Sequence, residues 1–85
     1  MPADRDGRGR DRQINRRLGA RVKARREALG MSQEALARRL GVTFQQVQRY
    51  ENGINAVAWS RIEALCKALD ISPDELFEWG TGPQR

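Results

Sequence analysis

Residues 32–53 read Ser-Gln-Glu-Ala-Leu-Ala-Arg-Arg-Leu-Gly-Val-Thr-Phe-Gln-Gln-Val-Gln-Arg-Tyr-Glu-Asn-Gly, and this stretch decides the fold. Ser32 suits an N-cap, since its hydroxyl can accept from an orphan amide of the first helical turn. Leu36, Ala37 and Leu40 then share one face of a short helix over 33–40, with Arg38 and Arg39 turned outward. Gly41 stops that helix. After Val42 alone, Thr43 opens a second helix over 44–51, and Thr43-x-x-Gln46 has capping-box spacing. Val47 and Tyr50, three apart, point inward, and Asn52-Gly53 closes the helix.

Two short helices joined by a turn of about three residues have helix-turn-helix geometry. The outward positions of the second helix are Phe44, Gln45, Gln48 and Arg49. Glu and Lys are the ordinary choice for a face that serves solubility alone. Gln can instead pair bidentately with adenine, Arg with guanine, and an apolar ring can meet a thymine methyl. The residues thus point to a helix that reads base edges in double-stranded DNA. For Phe44 the alternative is a ring folded back onto Leu40 or Val47.

Outward from this core the pattern stays helical. Leu18, Val22, Ala28 and Leu29 predict one face of a first helix that starts near Asn15 and ends at Gly30. Arg16, Arg17, Arg21, Lys23 and Arg25 cover its other faces. Beyond a loop over 54–58, Ser60-x-x-Glu63 has capping-box spacing, and Ile62, Leu65, Cys66 and Leu69 form the inner stripe of a fourth helix. Ser72-Pro73-Asp74-Glu75 combines a cap, a first-position proline and first-turn acids, and opens a fifth helix toward Trp79. The expected architecture is all-α, with five helices in one domain over 15–79. Residues 1–14 are expected to be a flexible basic tail, or alternatively an arm along DNA, and 80–85 a frayed end.

Composition narrows the functions. The 85 residues allow one modest core. Cys66 is the only cysteine and there is no histidine, so neither an intrachain disulfide nor a structural zinc site is expected. No nucleophile–base pair suggests an enzyme, and no cofactor is implied. Neither a membrane span nor a signal peptide is legible, which favours the cytoplasm, near the nucleoid. Fifteen Arg and Lys stand against seven Asp and Glu over 1–67, while 68–85 carry one Arg and four acids. A basic body with an acidic end fits a polyanion met on one side.

Gly30-Met31-Ser32-Gln33-Glu34-Ala35-Leu36-Ala37 and then Gly41-Val42-Thr43-Phe44-Gln45-Gln46-Val47-Gln48-Arg49-Tyr50-Glu51-Asn52-Gly53 closely resemble the lambda-repressor-like helix-turn-helix family, of Cro/repressor and xenobiotic-response-element type. The likeness runs on through Asn55 and Ser60-Arg61-Ile62 to Ile71-Ser72-Pro73. It implies a DNA-binding transcriptional regulator, a repressor or autoregulator. Phe44, Gln45 and Arg49 are then expected at base edges, with Gln48 at their margin. Gln33, Thr43, Asn52 and Asn55 are expected at phosphates, and Arg26 with Glu51 forms an ion pair between the first and third helices. Ala56 and Ala58 depart from the pattern, standing where relatives often carry a basic residue and a hydroxyl cap.

The family's two-fold habit gives a use for the apolar residues near the fifth helix. Ile71, Phe77 and Trp79 are expected to form a homodimer interface, or alternatively to close a monomer's core. Two reading helices would then lie roughly 34 Å apart on a palindromic operator. A second reading is an antitoxin or bridging module that holds a protein partner through Trp59 and Trp79.

Overall fold

The computed structural model describes residues 8–77, with side chains from Arg12 onward. They form five helices: α1 (Arg8–Ala28), α2 (Gln33–Leu40), α3 (Phe44–Glu51), α4 (Trp59–Leu69) and α5 (Pro73–Phe77). No strand occurs among the described residues. α2 and α3 have the expected bounds because both start signals work locally. The Ser32 hydroxyl accepts from the Ala35 amide at 3.0 Å, and Thr43 Oγ1 accepts from the Gln46 amide at 3.1 Å. Gly41 takes the left-handed conformation at φ 73°, which lets Val42 N–H return to the Ala37 carbonyl and turns the chain within three residues.

α1 differs from expectation at both its start and its face. It begins at Arg8, so the boundary drawn at residue 14 falls inside a helix; residues 1–7 and 80–85 lie outside the described residues. Ile14, 36% exposed, lies beside Leu76 and Phe77 along an apolar groove, which gives the early turns of α1 something to pack on. The inward stripe is Leu18, Val22 and Arg26, each four residues after the last, whereas Ala28 and Leu29 are exposed. Apolar periodicity could not place Arg26 inside, because its burial depends on a carboxylate brought from α3.

Gly19 is buried where α1 crosses the end of α3. A Cβ there would strike the Tyr50 carbonyl oxygen and come within 2.6 Å of the Glu51 oxygen, so the two backbones meet with no side chain between them. The core fills the space beneath α1: Leu36 and Leu40 from α2, Val47 from α3, Leu65 and Leu69 from α4, and Leu76 from α5.

The last two helices end on arginine. α4 begins at Trp59, one residue before the expected cap, so Ser60 sits inside the helix and Ala58 offers no side-chain cap. Its C-terminus turns at Asp70, in the left-handed region at φ 53°. Arg25 donates to the Leu69 carbonyl at 2.8 Å and to that of Asp70 at 2.9 Å, completing the end of α4. Arg21 donates to the Glu75 carbonyl at 2.9 Å. Both arginines were expected to be outer-face residues; each instead ties α1 to a distant carbonyl.

α5 is too short to persist alone. A reciprocal box holds its start: Glu75 N–H donates to Ser72 Oγ and Ser72 N–H to Glu75 Oε1, both at 3.1 Å. Leu76, fully buried, anchors it with about 1.5–3 kcal/mol of hydrophobic burial.

Candidate nucleic-acid interface

α3 is held along its inner face and clamped at its C-terminal end. Val47 and Tyr50 are buried, as their spacing predicts. Glu51, the last residue of the helix, is 6% exposed and would be costly to bury unpaired. Arg26 answers it with two bonds, Nε to Oε2 at 2.6 Å and Nη2 to Oε1 at 3.1 Å. Arg26 Nη1 goes on to the Met31 carbonyl at 2.7 Å, which ties the α1–α2 connection into the same cluster. The hydrogen bond to Glu51 and its charge hold the Arg26 guanidinium in its protonated form, against the opposing effect of burial.

Gln33 joins this cluster, donating from Nε2 to Glu51 Oε1 at 2.9 Å. Gln33, the first residue of α2, thus braces α3 through a shared carboxylate. Half-buried Gln33 keeps its amide oxygen outside this bond. Spacing alone could not reveal the link, since Gln33 and Glu51 are eighteen positions apart.

The outer face of α3 carries the expected chemistry. Gln45 and Arg49 are both exposed and, four residues apart, stand one above the other on the same stripe. Gln48 is half-buried beside them. Phe44 is also half-buried and packs against the core, so part of its ring serves the interior and the rest faces out. Gln46 makes no side-chain bond back to Thr43 among the described residues; the cap is one-sided. Thr43 and Asn52 are exposed at the two ends of α3, and Asn55 is half-buried in the loop that follows.

The remaining candidates fall elsewhere. Ile71 and Phe77 are half-buried and pack against the protein's own core, while Trp79 lies outside the described residues. Trp59 is 65% exposed at the start of α4, and Ile54 is 64% exposed in the preceding loop. Cys66 is buried, and that burial pushes its thiol up from the ordinary range, the behaviour of a small core hydrophobe. None of the described helices is long and apolar enough to cross a membrane.

The model of the helix-turn-helix domain matches residues 17–79. An HTH-type transcriptional regulator of Sinorhizobium medicae is 43% identical over 76 residues, which cover 82% of this chain and 55% of the relative. Repressor protein C2 of Salmonella phage P22 is 34% identical over 61 residues, 72% of this chain and 28% of the repressor. The crystal structure of the restriction-modification controller protein C.AhdI from Aeromonas hydrophila superposes with a TM-score of 0.69 at 39% identity, covering 72% of this chain and 92% of that one. The chain spans about half the length of the rhizobial relatives that it matches at 43–45% identity. On sequence and on architecture alike, the chain belongs to the lambda-repressor-like helix-turn-helix family of DNA-binding transcriptional regulators.

Proposed function

We propose that this protein binds a palindromic operator as a homodimer, lays α3 in the major groove, and acts as a repressor or autoregulator. One observation carries the reading. Gln45 and Arg49 stand exposed on one stripe of a helix whose opposite face and C-terminal end are locked into the fold. A rigid helix presenting a bidentate amide and a bidentate guanidinium can hold both in the register of successive base pairs. Gln48 and the outer edge of Phe44 border that stripe. Gln33, Thr43, Asn52 and Asn55 contact phosphates around it, setting position, while α3 sets choice. The net charge of +5 draws the chain to the duplex and makes binding salt-dependent.

In the dimer, Ile71 and Phe77 contribute the apolar surface left over from their packing on the core, and the two α3 helices fall one helical turn of DNA apart. Such a regulator works in the cytoplasm, at the nucleoid. Selection of bound duplexes from a random pool tests the proposal. Recovery of an inverted repeat with half-sites about 10–10.5 base pairs apart is expected. A pool without sequence preference would refute the reading role of α3, and a single non-repeated site would refute the dimer.

A further inference from the structure

α3 is clamped at its C-terminal end by Arg26 and Gln33, but the structure also holds its other end, from a helix that does not touch the turn in sequence. Arg61, in the first turn of α4, donates from Nη1 to the carbonyl of Leu40 at 2.9 Å. Leu40 is the last residue of α2, one position before the turn that leads to α3. Two other carbonyls near that end of α2 already have partners: Val42 N–H reaches Ala37 and Gly41 N–H reaches Arg38. The Leu40 carbonyl belongs to the last residue before the turn and is met by a half-buried guanidinium, a charge-assisted bond at the negative end of a helix.

We infer that Arg61 is a positioning residue for sequence recognition: its bond to Leu40 fixes the turn over 41–43 and thereby the tilt of α3. The inference rests on the reading of α3 as the base-reading helix. Arg49 lies six residues beyond Thr43, about 9 Å along the helix axis. A change of about 10° at the turn therefore displaces its guanidinium by about 1.6 Å, well beyond the roughly 0.5 Å within which a designed contact must be held. Val47 and Tyr50 resist sliding of α3 but act near its middle and far end. Arg61 acts at the pivot. One guanidinium nitrogen is engaged with the protein, and the salt dependence of binding separates this role from that of an arginine on phosphate.

The test uses the 85-residue chain, a duplex selected by the wild-type chain from a random pool, and a scrambled duplex of the same composition. Arg61→Met keeps the apolar stem and removes the donor; Arg61→Lys restores a charged donor. For Arg61→Met the expected result is a five- to twenty-fold loss of preference for the selected duplex over the scrambled one. Binding to the scrambled duplex and the salt slope should stay unchanged, and Arg61→Lys should recover most of the preference. Amide exchange without DNA gives a second readout: protection should fall at Val42, Gln46 and Val47, whose amides bond across or just after the turn, and hold at Leu65–Leu69. Equal loss on both duplexes with a salt slope lower by about 1 would make Arg61 a direct phosphate contact and overturn the inference. Unchanged preference and unchanged exchange in a folded Arg61→Met chain would overturn it too. A wild-type chain that selects no sequence sinks the base-reading role instead, a failure visible before any variant is made.

Discussion

Arg26 Nε donates to Glu51 Oε2 at 2.6 Å across 25 positions of sequence, and both side chains are almost sealed from solvent, at 10% and 2% exposure. The bond fastens α1 to the last residue of α3. Its worth depends on both partners. Burial charges each ion a desolvation cost that the pairing offsets, so loss of one partner strands the other. Arg26→Met or Glu51→Met alone should lower stability by about 3–5 kcal/mol in urea unfolding. The double substitution should cost distinctly less than the two singles added together. Additive losses would show that the pair is not coupled.

Gly19 lets the backbones of α1 and α3 meet. Gly19→Ala favours the helix by propensity, by about 1 kcal/mol at an exposed site. Here the added methyl has only the Tyr50 and Glu51 carbonyls to enter. The expected outcome is a net loss of about 1–3 kcal/mol from overpacking, seen as a lower urea midpoint at unchanged slope. A higher midpoint would mean that propensity outweighs the contact and that α1 sits farther from α3 than described.

Arg49→Ala should weaken binding to the preferred duplex by roughly 1–3 kcal/mol and relax choice at one base position. Titration of the selected duplex and of its single-base variants, at one fixed salt concentration, measures both effects. Equal weakening on every duplex would move Arg49 from the base edges to the phosphates. Folding should be unaffected, since the side chain is exposed.

The Glu75 carboxyl is held below the ordinary glutamate range, first by the Ser72 amide and then by the Ser72 hydroxyl, with Arg25 and Arg21 adding smaller attractions. Its folded pKa lies below its unfolded one, so the cap's contribution is complete above the unfolded value. It disappears as pH falls through the folded value. Carboxyl titration followed by NMR should find the midpoint depressed in the wild-type chain and moved only part of the way back in Ser72→Ala, which loses the hydroxyl and keeps the amide. Identical midpoints in the two chains would show that the hydroxyl does not hold the carboxylate in solution.

Some of this architecture is written within a few residues. Ser32, Thr43 and Ser72 each satisfy an amide three positions on, and the apolar spacing within 33–40 and 44–51 settles which faces turn inward. Such signals depend on one helical turn, so they survive whatever surrounds them. The same local geometry left Gln45 and Arg49 outward, and the family resemblance of 30–53 carried their expected role. It also carried the Arg26–Glu51 pair, which periodicity could not supply.

What only the tertiary structure decided is whatever joins groups far apart in sequence. A polar residue is buried when its partner arrives with it, which is why Arg26 takes the inner stripe of α1 and Leu29 is left outside. Arg25 and Arg61, indistinguishable in sequence from solvated surface charges, find carbonyls at helix ends 44 and 21 positions away. Gly19 matters because another backbone happens to cross it. Ser60 had capping spacing yet lies inside α4, because the chain entered the helix two residues earlier, with Ala58 at the cap position. Local hydrogen bonding chose the helices; burial of charge and close backbone approach chose how they are held.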